Sequence, residues 1–178
     1  MALEVVRAAP TDRHGDAFVL TDVKKGTFVV LSGTMTASDI AGLPVGQKDK
    51  PGFASVGSPK LVRAYDDTVA SRGKAFPVDK KIFIPENADL DTSFETIKAG
   101  AQALYYTDGE FRTTEYTDLT TTVVYGDWLR LSASGTLTDE TDLKTGTNNS
   151  VARVIELADD HVSPGDRRLH FRMVQVGV

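Results

Sequence analysis

IKAGAQALYYTDGEFRT, Ile97 to Thr113, places two adjacent tyrosines and an Asp-Gly pair within one short stretch. Asp-Gly between runs of β-favouring residues signals a tight turn between twisted strands. The stretch therefore predicts a hairpin: a strand from Gln102 to Thr107, a turn at Asp108-Gly109 and a return through Phe111. Period two sets Leu104 and Tyr106 on one face and Tyr105 on the other. Tyr106 is then a core candidate, and Tyr105 is left to meet solvent or a partner.

A helix competes for the start of this stretch. Thr92-Ser93-Phe94-Glu95 fits a capping box, and Phe94, Ile97, Ala101 and Leu104 recur at helical spacing. Gly100 costs about 1 kcal/mol in a helix interior, and Tyr105-Tyr106 suit a strand better. The expectation is at most a short turn before Lys98.

Threonine is concentrated in RTTEYTDLTTTVVYGDW and SGTLTDETDLKTGTNNS, and its branched side chain favours extended backbone. Phe18 to Leu20 and Phe28 to Leu31, separated by Lys24-Lys25-Gly26, read as a second hairpin. KKIFIP is a short strand stopped by Pro85, which cannot donate to a ladder. TTTVVYGDWLRLS predicts two strands about a bend at Gly126-Asp127, with Val124, Trp128 and Leu129 as core candidates. SVARVIELADD and RRLHFRMVQV form the last pair across a Pro-Gly turn. Val154, Leu157, Leu169, Phe171 and Met173 are expected to be buried, with His170 facing solvent.

Ala37 to Lys60 carries Gly42, Gly46, Gly52 and Gly57 with Pro44, Pro51 and Pro59, too many breakers for a long helix or a central strand. An extended loop or arm is expected. The fold class is thus mainly β: a small antiparallel β-barrel or sandwich with a Gly/Pro-rich arm and little helix. Residues 1–90 read as an N-terminal β-rich lobe, either separate or continuous with the rest. Residues 91–178 read as a C-terminal barrel-like domain.

A chain of 178 residues buries roughly 70% of its unfolded surface. The apolar fraction of 40% and charged fraction of 25% argue against wholesale disorder. A net charge of -5 without a basic tract disfavours nucleic acid, whose phosphates need cations. The absence of cysteine excludes disulfides, thiolate metal sites and cysteine nucleophiles. MALEVVRAAPTDRHGD lacks the apolar centre of a signal peptide, and no apolar run approaches about 18 residues. A cytoplasmically made protein with no membrane partner is expected.

Chemistry is sparse. His14, His161 and His170 show no ligand spacing, and no EF-hand, P-loop or GxGxxG pattern occurs, so no metal or cofactor is assigned. Ser71 to Lys74, SRGK, matches Ser-x-x-Lys without its companion motifs. With 25 acidic residues, chance carboxylate pairs are inevitable and none stands out. The chain reads as a non-enzyme. Asn148-Asn149-Ser150 is a sequon in form only, and TDETDLKTGTNN reads as a solvated hairpin end. Tyr105, Tyr106, Tyr125 and Trp128 suit either core packing or a sugar-stacking platform.

IKAGAQALYYTDGEFRT, YGDWLRLS, SVARVIELADD and RRLHFRMVQV in this order resemble small phage capsid decoration (cement) proteins, over roughly residues 97–176. The resemblance implies a β-rich homotrimer on the outer capsid surface of the virion, clamping neighbouring major capsid protein subunits. Such a clamp needs no cofactor, and its threefold symmetry multiplies weak contacts. Candidate partner contacts are Leu43, Pro44, Pro51 and Phe53 on the arm, and Tyr105. A carbohydrate- or receptor-binding module of a phage tail or fibre, using the aromatic residues, is the alternative of a different class.

Overall fold

The computed structural model describes residues 3–8, 14–45, 52–64, 75–80, 96–117, 119, 123–140, 144–145, 150–159 and 167–174. Among the described residues, thirteen strands and one short helix make the protein mainly β. Five strands close a barrel: β2 (His14–Val19), β5 (Pro59–Arg63), β4 (Phe28–Thr34), β6 (Ala75–Lys80) and β8 (Gln102–Tyr106), in that order. Six more form an open sheet in the order β1 (Leu3–Ala8), β9 (Gly109–Thr113), β13 (Arg167–Met173), β12 (Ser150–Asp159), β10 (Trp128–Leu131) and β11 (Leu137–Asp139). A ribbon of β3 (Val23–Lys24) and β7 (Thr96–Ile97) stands beside them. The helix α1 (Ala37–Gly42) follows β4.

Alternation along the strands builds two cores that share a wall. Ala17, Val19, Val29, Leu61, Val78 and Ala103 fill the barrel. Phe28, Val30, Ala64 and Ala75 belong to barrel strands or their ends but pack outward. They meet the inner face of the open sheet, where Leu3, Phe111, Leu129, Val154, Leu169 and Phe171 are buried. Barrel and sheet are thus stacked layers, each burying one apolar face of the other.

The Asp-Gly stretch is not a hairpin. β8 pairs with β2 and β6 inside the barrel, whereas β9 pairs with β1 and β13 in the open sheet. Asp108 accepts a hydrogen bond from the Gly109 backbone N–H at 2.8 Å through Oδ1, and the chain turns there from one layer into the other. Nor do β2 and β4 pair across Lys24-Lys25-Gly26: β5 lies between them, parallel to β2 and antiparallel to β4. Among the described residues the other paired strands are antiparallel, and a single parallel bridge joins Tyr116 to Leu137. The tight turn at Lys24 to Thr27 instead feeds the β3–β7 ribbon.

Strands cross the division at residues 90 and 91. β1 completes the open sheet, and β8 closes the barrel. The closed barrel draws mostly on the first half of the chain, whereas residues 91–178 mainly supply the open sheet.

The β12–β13 pair forms as the pattern requires, with a bulge between Val154 and Glu156. Val154, Leu169, Phe171 and Met173 are buried, and Leu157 is partly so. In the segment before β10, Val123 is buried while Val124 is exposed. The Asp127 carboxylate accepts from the Val124 N–H at 2.9 Å and turns the chain one residue earlier than alternation suggests. The end of the β11–β12 loop is not wholly solvated either. Glu140 is buried and accepts a 2.7 Å hydrogen bond from the Ser150 hydroxyl. Ile82 to Pro85, the Thr92–Glu95 capping box, SRGK, His161, Asn148 and Asn149 lie outside the described residues.

Candidate functional site

Instead of an extended arm, the described flanks of residues 37–60 fold back on the barrel. Thr36 caps α1, its hydroxyl accepting from the Asp39 N–H at 3.1 Å while Asp39 accepts from the Thr36 N–H at 2.8 Å. This reciprocal pair satisfies two otherwise free donors. TASD carries the signal in the sequence, with aspartate where glutamate is usual. Lys60 on β5 reaches the same carboxylate at 3.0 Å, tying the helix to the barrel wall.

The Thr36 backbone N–H above all, then the Lys60 ammonium and the Thr36 hydroxyl, hold the Asp39 carboxyl down to about 2. A depressed acid stabilises the fold fully above its unfolded value, near 3.8, and loses that contribution as pH falls through the folded one. The cap is therefore expected to loosen between about pH 4 and pH 2. In an NMR titration the Asp39 carboxyl should have a midpoint near 2, with the Asp39 amide losing protection over the same range; a midpoint near 3.8 would contradict the cap.

Beyond α1, Leu43 is buried with Met35, Ala54 and Ala99, and Phe53, half-buried, bridges to Ala101. Both are rooted on the barrel rather than carried on an extended arm. Pro44 is exposed, and Pro51 lies outside the described residues. Val45 and Val56, 82% and 64% exposed, project from a segment whose roots are locked.

Tyr105 is not the free tyrosine that alternation implies. It points into the barrel with Ala103, and its ring packs on Phe76 at 5.5 Å between centroids. It also lies over Gly15, where a Cβ would come within 2.3 Å of it. Tyr106 faces the other core, its ring 5.3 Å from Phe111. Tyr105 and Tyr106 are each half-buried against a different core, so period two divides β8 between two cores rather than between core and solvent. Tyr125 is 80% exposed on a turn, and Trp128 is buried beneath the Arg153 guanidinium, 4.1 Å from the ring centroid. The four aromatic residues do not make one platform.

Between the layers opens a cleft of about 450 Å³ lined by Lys24, Arg63, Glu115, Tyr116, Thr117 and Thr136, among others. Arg63 donates through Nε to the Ser134 carbonyl at 2.7 Å, and Lys24 faces Glu115 at 3.5 Å. Hydroxyls of Thr117, Ser132, Ser134 and Thr136 bond to one another at 2.6 to 3.0 Å. These groups can hydrogen-bond a polyhydroxylated ligand, and none is arranged as a nucleophile with an adjacent base.

The outer face of the open sheet carries a charge ladder missed by looking for apolar contacts. Arg112 and Arg168 converge on Glu4 at 3.6 and 2.8 Å. His170 stands among them, half-buried rather than open to solvent. Burial first, then the Arg112 charge, pushes its imidazole below the usual range against Glu110, Glu156 and Glu4. Among the described residues no group of three or more His, Asp or Glu could hold a metal ion, and no helix is long and apolar enough to cross a membrane.

In comparisons with known proteins, no family model, no curated protein and no solved structure matches this chain.

Proposed function

We propose that this chain is a structural virion protein, decorating an icosahedral phage capsid as a homotrimer and stabilising it by clamping neighbouring major capsid subunits. The resemblance over residues 97–176 and the mainly β body support this reading. The observation that carries it is the apolar tip of the barrel cap. Val45, next to Pro44, and Val56 are exposed while Met35, Leu43 and Ala54 anchor the same segment. A contact held in place before binding loses little ordering entropy on docking, and a trimer presents it three times.

The purified protein is expected to sediment as a trimer, to saturate bare shells at symmetry-defined sites and to raise their resistance to heat and chelation. Val45→Asp with Val56→Asp should weaken shell binding more than tenfold without lowering the melting temperature. Shells no more stable with the protein than without it would end this reading.

The alternative, a carbohydrate- or receptor-binding module of a tail or fibre, draws support from the hydroxyl-lined cleft beside Tyr116 rather than from an aromatic platform. It requires glycan-array binding that is lost in Thr117→Val with Thr136→Val. An array without specific binding removes it.

A further inference from the structure

We propose that the outer face of the open sheet carries, at Trp128, Arg153 and Arg172, a docking site for an acidic segment of a partner protein. Register brings the three side chains together. Trp128 on β10 is opposite Arg153 on β12, and Arg153 is opposite Arg172 on β13. With Met173 and Val174 they line a cleft of about 330 Å³, at the small end of ligand-binding clefts.

Two arginines directly opposite on antiparallel strands repel each other. Elsewhere on this face arginines have carboxylate partners: Arg112 and Arg168 meet Glu4, and Arg130 faces Glu140 at 3.9 Å. Arg153 and Arg172 form no ion pair with any described residue, although Glu110 is opposite Arg172 on β9. Asp108, the one acidic residue of the lining, accepts the Gly109 N–H through Oδ1. On a chain of net charge -5, two adjacent arginines held in no ion pair with a described residue keep their N–H groups available to a ligand carboxylate.

The tryptophan makes the pair specific. Stacking on the indole uses the π-face of the Arg153 guanidinium and leaves its in-plane N–H fork available for a carboxylate. The turn leading into β10 exposes Val124 and Tyr125, at 53% and 80%. Arginine and aromatic residues beside exposed apolar surface have the composition of a protein interface, and two cations are too few to track a phosphate backbone.

Trp128 is the only tryptophan of the chain, so its fluorescence reports on the site directly. The full chain would be titrated with an acetylated Asp-Glu-Asp-Glu peptide, with the Asn-Gln-Asn-Gln peptide, inorganic phosphate and a ten-nucleotide single-stranded DNA as comparisons. The acidic peptide is expected to change Trp128 emission saturably, at least tenfold more tightly than any comparison, and to weaken with salt. Arg172→Gln and Arg153→Gln should each weaken it tenfold or more with the melting temperature unchanged, and Arg153→Lys, which keeps the charge but loses the fork, should recover only part. No saturable response to the acidic peptide overturns the proposal. So does tighter binding of phosphate or DNA, or an unchanged affinity in both glutamine variants.

Discussion

Phe171→Ala is expected to cost about 3–5 kcal/mol of folding stability, the range for deleting a fully buried phenylalanine. Phe171 has no solvent exposure, and its ring stands 6.1 Å from Phe28 of the barrel and 5.6 Å from Phe111 of the open sheet. Phe111 continues the chain of rings to Tyr106 at 5.3 Å. The residue therefore joins the two layers, and the cavity left by alanine opens at their junction, where neither can collapse independently. Against a total stability of typically about 5–15 kcal/mol, the loss is large. Urea unfolding should show a lower midpoint with an unchanged slope. Phe171→Leu should lose less. A loss under about 1 kcal/mol for the alanine variant would mean that the ring chain does not hold the layers together.

Gly100→Val is expected to destabilise by about 2–6 kcal/mol. Gly100 has φ +83°, and a Cβ there would fall 2.3 Å from the Phe53 ring and 3.0 Å from Leu43. The left-handed backbone costs a branched residue about 1–3 kcal/mol, and overpacking adds about 1–3 kcal/mol. The turn cannot easily shift to relieve this. Gly100 donates to the Val19 carbonyl at 2.8 Å and accepts from the Ala54 N–H at 2.9 Å, and the neighbouring Ala99 N–H is held by Asp22 at 2.8 Å. Burial raises the Asp22 carboxyl, but the Ala99 N–H and the Lys98 ammonium outweigh it and leave it below the usual range. Gly33 gives the comparison: its φ is +67° but nothing lies within 4 Å of its Cβ position. Gly33→Val should show only the backbone part, and thermal melting of the two variants separates it from the ring clash. Equal losses would mean that Phe53 moves aside at no cost.

The barrel cap and the Trp128 platform were legible in the sequence to different degrees. Gly42, Pro44 and Gly52 mark breaks in residues 37–60 but do not say whether such a segment extends or folds back. Leu43 and Phe53 settle that by burial, and the TASD capping box is visible once aspartate is accepted in place of glutamate. Arg153 and Arg172 are nineteen positions apart in the sequence, and only the register of β12 against β13 makes them neighbours. His170 looked solvent-facing for the same reason: alternation orients a residue outward but does not know what stands beside it.

The sequence by itself determined the mainly β character, the β8 and β9 segments, the β12–β13 pair with its buried Val154, Leu169, Phe171 and Met173, and the absence of disulfides. These follow from threonine and β-branched content, period-two alternation and turn residues, all of which act within a few positions. Only the tertiary structure decided which strands pair. Asp108-Gly109 became a corner between layers rather than a hairpin, β5 entered between β2 and β4, and Tyr105 turned into the barrel instead of toward a partner. Alternation assigns side chains to two faces, but it does not say that each face of β8 packs against a different core. What each face meets is set by apolar surfaces brought together across the whole chain.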